Sequence, residues 1–206
     1  MFFSRLPDPA EPERTAVPAA PAWVQPPDEL GVPIVFTAFL ERTTDTVLAV
    51  TGITAYSNGC AITAKWALRR GTRSDEGWRA AVTSGTGHHA PFEAPGDVAL
   101  RFGTIADDGG IARSDGNVPW WTSAADEPFT GPSLIVRGGA SGGSDDRFDG
   151  TVELWLWPLP ADGVLELVAE WQGAGMPERR IRFDATAIRT AALGSLPFFD
   201  DEAGDA

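Results

Sequence analysis

A chain of 206 residues, 43% of them hydrophobic and including eight Trp and eleven Phe, has enough bulky side chains to build one core without disulfides or metals. Its 29 acidic and 16 basic residues give a formal net charge of -13, so we expect no nucleic-acid partner and no attraction to anionic membranes. No run of eighteen apolar residues occurs, which predicts no membrane insertion.

The first 33 residues are rich in proline, and this composition predicts an extended N-terminal arm rather than a helix or a paired strand. The arm has no basic flank followed by an apolar stretch and a small-residue cleavage site, so we expect no secretion signal. Cys60 is the single cysteine and cannot form an internal disulfide, as is typical of a reducing compartment. Together these features predict a cytoplasmic protein.

The clearest local signal after the arm is a hairpin. A first strand is predicted over Ile34–Thr43, and β-branched residues then fill Thr46–Tyr56. A turn at Asn58-Gly59 leads to another strand that continues through Arg69, and Asn and Gly readily adopt the positive φ of a type I′ turn. In this last strand alternation places Cys60, Ile62, Trp66 and Leu68 on one face, which predicts a shared buried surface.

Further two-residue alternation predicts strands over residues 98–103, 111–113, 134–137, 148–157, 164–171 and 180–183. The Gly-rich residues 138–144 predict a flexible loop through which the chain crosses over. Trp155 and Trp157 share one strand face, and we assign both to the core. Asp184 is placed to cap a short helix that ends near Gly194 and Pro197.

These elements predict an all-β fold. We expect an antiparallel β-sandwich of about eight strands with one short C-terminal helix, because no helices alternate with the strands. The predicted organisation is an arm over residues 1–33, a β-sandwich domain over residues 34–198 and an acidic disordered tail over residues 199–206.

His88 and His89 form the single histidine pair, in a segment that reads as a loop from Ser84 to Pro91. Imidazole suits proton transfer and metal binding near neutral pH, so either ring is a candidate catalytic base. Adjacent side chains in an extended backbone point to opposite sides, however, and a third histidine or a cysteine nearby is lacking. An exposed loop pair is the alternative interpretation, and it is the one we favour.

Asp145 and Asp149 flank a short turn and are candidate calcium ligands, since a hard cation needs several oxygens within a tight bend. Arg147 stands where a further oxygen ligand is needed, and Leu156 stands where a bidentate Glu closes a calcium loop. A solvated turn is the interpretation we prefer. We therefore predict no metal and no cofactor.

Trp120 and Trp121 are adjacent in a stretch with the turn-forming residues typical of loops, so both cannot easily turn toward one core. An exposed Trp can stack on a sugar ring or on a partner protein. The neighbouring hydrogen-bonding groups are Asp115, Asn117 and Asp126. A loop Trp that covers the edge of the sandwich is the alternative.

Three segments resemble uncharacterised, β-rich proteins of high-GC actinobacteria: Leu154 to Pro160, Leu165 to Trp171 and Phe183 to Arg189. The resemblance extends over most of the chain and is weakest over residues 104–132. It implies a small cytoplasmic protein and brings no known reaction or functional residue.

The sequence contains no nucleophile elbow, zinc-protease pair or dinucleotide fingerprint. The leading hypothesis is a non-enzymatic protein-interaction or scaffold module that binds another protein or itself. One alternative is a carbohydrate or small-ligand module that uses Trp120 or Trp121, and the other is a hydrolase with His88 or His89 as its base.

Overall fold

Two antiparallel sheets form the body of the protein in a computed structural model that describes residues 21–86, 98–114 and 131–199. The strands of the larger sheet are β2 (Val32–Ile34), β3 (Ala38–Arg42), β4 (Thr46–Ala55), β5 (Cys60–Arg69), β8 (Ser133–Gly138), β9 (Ser141–Gly143) and β10 (Arg147–Trp157). Their order is β2-β4-β5-β10-β8, with β3 also paired to β4 and β9 also paired to β10.

The strands of the smaller sheet are β6 (Arg101–Ala106), β7 (Ile111–Arg113), β11 (Val164–Trp171) and β12 (Met176–Asp184). Their order is β12-β11-β6-β7. A separate two-stranded ribbon pairs β1 (Glu29–Leu30) with β13 (Leu196–Pro197). The helices are α1 (Asp75–Thr86) and α2 (Ala185–Ala192).

The core lies between the two sheets, where the long strands contribute the apolar half of their alternation. Trp66 of the larger sheet packs edge-on against Trp171 of the smaller sheet, with ring centroids 5.3 Å apart. Phe36 and Phe183 form a second such contact at 4.6 Å. At one edge of the sandwich, Arg179 of β12 pairs with Glu41 of β3 at 3.0 Å, so an ion pair links the two sheets there.

The all-β prediction is confirmed, and the predicted hairpin is present as β4 and β5. Cys60, Ile62, Trp66 and Leu68 are all buried in the core. Asp184 caps α2 as expected, because its Oδ1 accepts a hydrogen bond from the amide of Ala187 at 3.1 Å. The predicted single strand over residues 34–43 is instead split into β2 and β3, which pair with different parts of β4.

The type I′ turn was a wrong prediction, because neither Asn58 nor Gly59 has a positive φ. Glycine is required at residue 59 for space: an added Cβ would lie 2.5 Å from the carbonyl oxygen of Leu156 and 2.5 Å from the ring of Trp155. The side-chain amide of Asn58 binds the arm instead: Nδ2 donates hydrogen bonds to the carbonyl oxygens of Ala22 and Val24 at 2.7 and 2.9 Å.

Two further predictions need correction. The Gly-rich residues 138–144 do not let the chain cross over, because they contain β9, which pairs with the same edge of β10 as β8. The stretch that reads as a loop from Ser84 begins inside α1, a helix that the sequence analysis missed. The α1 helix buries Trp78, Ala81, Ser84 and Gly85, and the Ser84 hydroxyl accepts a hydrogen bond from Trp171 Nε1 at 2.8 Å.

Trp155 is buried, but on the face of β10 that points away from the core. The core face of this strand carries Leu154 and Leu156, which lie opposite Ile62 and Cys60 of β5. The prediction that Trp155 and Trp157 share one face is correct, but assigning that face to the core was wrong.

Candidate functional site

Seven of the nine candidate residues from the sequence lie outside the described residues. They are His88, His89, Asp115, Asn117, Trp120, Trp121 and Asp126.

The structure describes both candidate calcium ligands. Asp145 is exposed in the turn between β9 and β10, whereas Asp149 lies within β10 opposite Ala67. The carboxylate of Asp149 forms an ion pair with Arg147 Nε at 3.6 Å, so a cationic side chain already accompanies it. Among the described residues, no three His, Cys, Asp or Glu side chains are grouped so that they could hold a metal ion.

Cys60 is fully buried, and this burial raises the pKa of its thiol to about 12. At neutral pH the group is therefore a protonated thiol, and the thiolate is the form that attacks electrophiles. Its surroundings are those of a small core side chain.

The arm occupies the outer face of the larger sheet from residue 21 onward. Trp155 Nε1 donates to the carbonyl oxygen of Trp23 at 2.9 Å, and Tyr56 packs edge-on against the Trp155 ring with centroids 5.7 Å apart. With the two hydrogen bonds from Asn58 to the arm backbone, these contacts cover Trp155 so that it is only 1% exposed. The arm therefore docks on its own domain over this stretch.

The arm then turns into the ribbon of β1 and β13, so the prediction that the arm contains no paired strand is wrong for Glu29–Leu30. The Glu29 carboxylate anchors the base of this ribbon to Ser57. Its Oε1 accepts a hydrogen bond from the Ser57 amide at 2.6 Å, and its Oε2 accepts one from the Ser57 hydroxyl at 2.5 Å. In the ribbon, Leu30 lies opposite Leu196. The Phe198 amide extends the pairing by donating to the carbonyl oxygen of Asp28 at 2.9 Å.

Partial burial on its own raises the pKa of Glu29, but the hydrogen bonds that its carboxylate accepts outweigh this effect. They come from the Ser57 side chain, the Ser195 side chain and the Ser57 backbone amide. The net result is that the pKa of Glu29 lies below its usual value. The ionised form of Glu29 therefore stabilises the base of the ribbon.

Three large apolar side chains stand out from this ribbon into solvent. Leu30 is 57% exposed, Leu196 is 60% exposed and Phe198 is 56% exposed. Leu30 and Leu196 are a directly opposed pair and share one face of the ribbon, and Phe198 follows two residues after Leu196, just beyond β13. We call Leu30, Leu196 and Phe198 the apolar row; next to it in the chain, Phe199 is 68% exposed.

The charged residues that neighbour the apolar row in the sequence are negative. Asp28 precedes β1, and the four residues that follow Phe199 include Asp200, Asp201 and Glu202. The row has no group that could perform chemistry, so what it offers is apolar area beside negative charge. The row could not be predicted from the sequence, because Leu30 lies in the predicted arm and its pairing with Leu196 spans most of the chain.

No helix in the described part of the chain is long and apolar enough to cross a membrane. No protein-family model, curated protein or solved structure matches this chain. The resemblance to actinobacterial proteins therefore stays a prediction, and the function has to be argued from the surface itself.

Proposed function

We propose that this chain is a non-enzymatic protein-interaction module, and that its apolar row inserts into an apolar groove with a basic rim on another protein. The observation that carries the proposal is the row itself: three large apolar side chains, each more than half exposed, on a ribbon held by defined hydrogen bonds. Contiguous exposed apolar surface is the usual mark of an interaction site.

The free energies of burial and of association indicate what the partner has to supply. Burying the exposed parts of Leu30, Leu196 and Phe198 provides on the order of 3–4 kcal/mol. Association costs at least about 4 kcal/mol in lost translational and rotational freedom. The row alone therefore gives weak binding, and additional contacts from Phe199 and from charged groups are needed for a stable complex.

The negative charge next to the row selects the type of partner. Asp200, Asp201 and Glu202 follow Phe199 directly, so a basic rim around the groove adds attraction and speeds association. A second copy of the same chain is disfavoured, because joining two ribbons face to face brings two acidic segments together in a molecule of net charge -13.

The experiment uses a photo-crosslinking amino acid in place of Phe198 in the native cell, with the same replacement at Val35 as the matched control. Val35 is fully exposed but lies outside the ribbon. We expect one protein to crosslink at position 198 and not at position 35. That protein is then purified and its affinity measured for the wild-type chain and for a Leu196→Ser, Phe198→Ser variant.

We expect the double variant to weaken binding by at least about tenfold, because it removes most of the apolar row. We also expect the wild-type affinity to fall as salt is raised, since the rim charges are screened. Equal affinity of the two proteins overturns the proposal. Crosslinking at position 198 to a second copy of the chain overturns the heterologous, basic partner.

The other functions expected from the sequence remain predictions. A carbohydrate or small-ligand module depends on Trp120 and Trp121, and a hydrolase depends on His88 and His89, all of which lie outside the described residues. Titration of a glycan panel with tryptophan fluorescence as the signal tests the first. We further propose a cytoplasmic location, which the single, buried Cys60 supports because no internal disulfide can form.

A further inference from the structure

A shallow groove of about 330 Å³ crosses the outer face of the smaller sheet, on different strands from the terminal ribbon. We call it the Gly103 groove. Its lining includes Gly103, Ile105, Ile111, Arg113, Val168 and Glu170. Gly103 and Val168 are directly paired in neighbouring strands and form its floor, and Arg113 lies on the other side of Gly103. Its volume lies at the lower end of the range for small-molecule sites.

Gly103 creates the open space at the centre of this groove. It lies within β6 and has no positive φ, so the backbone does not demand glycine. An added Cβ would have 3.3 Å to the carbonyl oxygen of Ala112 and 3.9 Å to Arg113 Cγ as its near contacts. Glycine inside a strand often marks a place where another molecule approaches the backbone closely.

The arginines at the groove differ in their pairing. Arg101 is paired with Glu170, and Arg180 is paired with Glu178 at 2.7 Å and with Glu166 at 3.3 Å. Arg113 is exposed and forms no ion pair or side-chain hydrogen bond with any residue in the described ranges. Within the described ranges it is therefore the groove arginine whose guanidinium has no anionic partner.

We propose that the Gly103 groove binds a small aryl monocarboxylate. The carboxylate accepts two hydrogen bonds from the planar guanidinium of Arg113, which matches carboxylate geometry. The aromatic ring lies on Gly103 and Val168, with Ile105 and Ile111 at its edge. A dianion such as phosphate fits less well, since Glu170 and Glu178 also line the groove and repel a second negative charge.

The probe for the test is 2-naphthoate, titrated into the full-length protein and followed by calorimetry. We expect saturable binding that weakens at least about tenfold in an Arg113→Gln variant, because the charge-assisted hydrogen bonds between the guanidinium and the ligand carboxylate are lost. Arg182→Gln is the control for the loss of one positive charge: this arginine lies on the same sheet face and outside the groove lining, and its partner is Glu166 at 2.8 Å. The control should bind 2-naphthoate as the wild type does.

Two more variants of the experiment separate the charge from the ring. The neutral analogue 2-naphthamide should bind at least about tenfold more weakly than 2-naphthoate. Gly103→Val fills the floor and should abolish binding, with the far-ultraviolet circular dichroism spectrum as the check that the sheet is intact. Absence of 2-naphthoate binding to the wild type, or equal binding to wild type and Arg113→Gln, overturns the proposal.

None of these outcomes depends on the terminal ribbon. The Leu196→Ser, Phe198→Ser variant should bind 2-naphthoate with wild-type affinity, so the two proposals fail or succeed separately.

Discussion

Trp155 and Phe198 are both large aromatic side chains outside the core, yet one is covered by the chain and the other is exposed to solvent. Trp155 lies beneath arm residues that follow Pro21 and is 1% exposed, whereas Phe198 lies on the ribbon and is 56% exposed. The same arm takes part in both places, since it covers Trp155 and then continues into β1.

The difference shows that a segment able to cover apolar surface passes close to the apolar row and nevertheless leaves it exposed. Residues 21–28 pass over one apolar surface and leave the next one open. Covered positions should therefore resemble the core in their contribution to stability, and uncovered positions should contribute little to stability and much to binding.

The largest expected effect is at Trp155. Trp155→Ala should lower the free energy of unfolding by about 3–5 kcal/mol, as for a core tryptophan, because it empties the space beneath the arm. Phe198→Ala should change it by about 1 kcal/mol or less, since more than half of that side chain is already in water. Urea unfolding followed by circular dichroism measures both. Similar losses for the two variants would remove the distinction between covered and uncovered surfaces.

A second covered surface lies under α1, where glycine allows close packing. A Cβ at Gly85 would lie 2.7 Å from the ring of Trp171 and 3.1 Å from the ring of Trp66. Gly85→Ala should therefore lower the free energy of unfolding by about 1–3 kcal/mol through overpacking.

Gly77 in the same helix is the matched control for Gly85. It is exposed, and a Cβ there would meet Ser74 Oγ at an ordinary 3.4 Å. Gly77→Ala should raise the free energy of unfolding by about 0.5 kcal/mol, since alanine restricts the unfolded chain. The opposite signs are the prediction, and a gain in stability for Gly85→Ala would show that α1 does not pack tightly on the two tryptophans.

The α1 helix also shows why part of the fold escaped sequence analysis. Its signals are present: Ser74 Oγ accepts from the Gly77 amide, and Trp78, Ala81 and Val82 have helical spacing. Two glycines within the helix weaken these helical signals, and the loop predicted from Ser84 overlaps the end of the helix. The strands, by contrast, could be predicted from two-residue alternation wherever one face is apolar and the other carries polar residues, as in β5 and β11.

The core face of β10 could be predicted from the alternation of the whole strand. Trp155 has the strand parity of Asp149 and Glu153, so the opposite set, with Leu154, is the one that points to the core, and the arm covers Trp155 on the other face. Asn58-Gly59, by contrast, shows a limit of local pattern. The pair correctly predicted a hairpin, but the reasons for both residues are contacts with distant parts of the chain. The apolar row likewise depends on pairing between the two ends of the chain.

The smallest expected effect is at Glu29, which joins the covered and uncovered regions. Its pKa is lower in the folded protein than its usual value of 4.5, so folding favours the ionised form. The stabilisation is therefore present above pH 4.5 and is lost as the pH falls through the lower, folded pKa. Glu29→Gln should lower Tm by about 2 °C or less at pH 7, because the carboxylate is partly exposed.

This difference between wild type and Glu29→Gln should shrink below pH 4.5, where the wild-type carboxyl group becomes protonated and neutral like the amide. Thermal unfolding of both proteins between pH 7 and pH 3 measures it. Adding Ser57→Ala to both proteins is the control, since it removes one of the hydrogen bonds that lower the pKa and should reduce the pH-dependent part. A Tm difference that stays constant down to pH 3 would mean that the ionised carboxylate does not hold the base of the ribbon. The apolar row would then be presented by strand pairing alone.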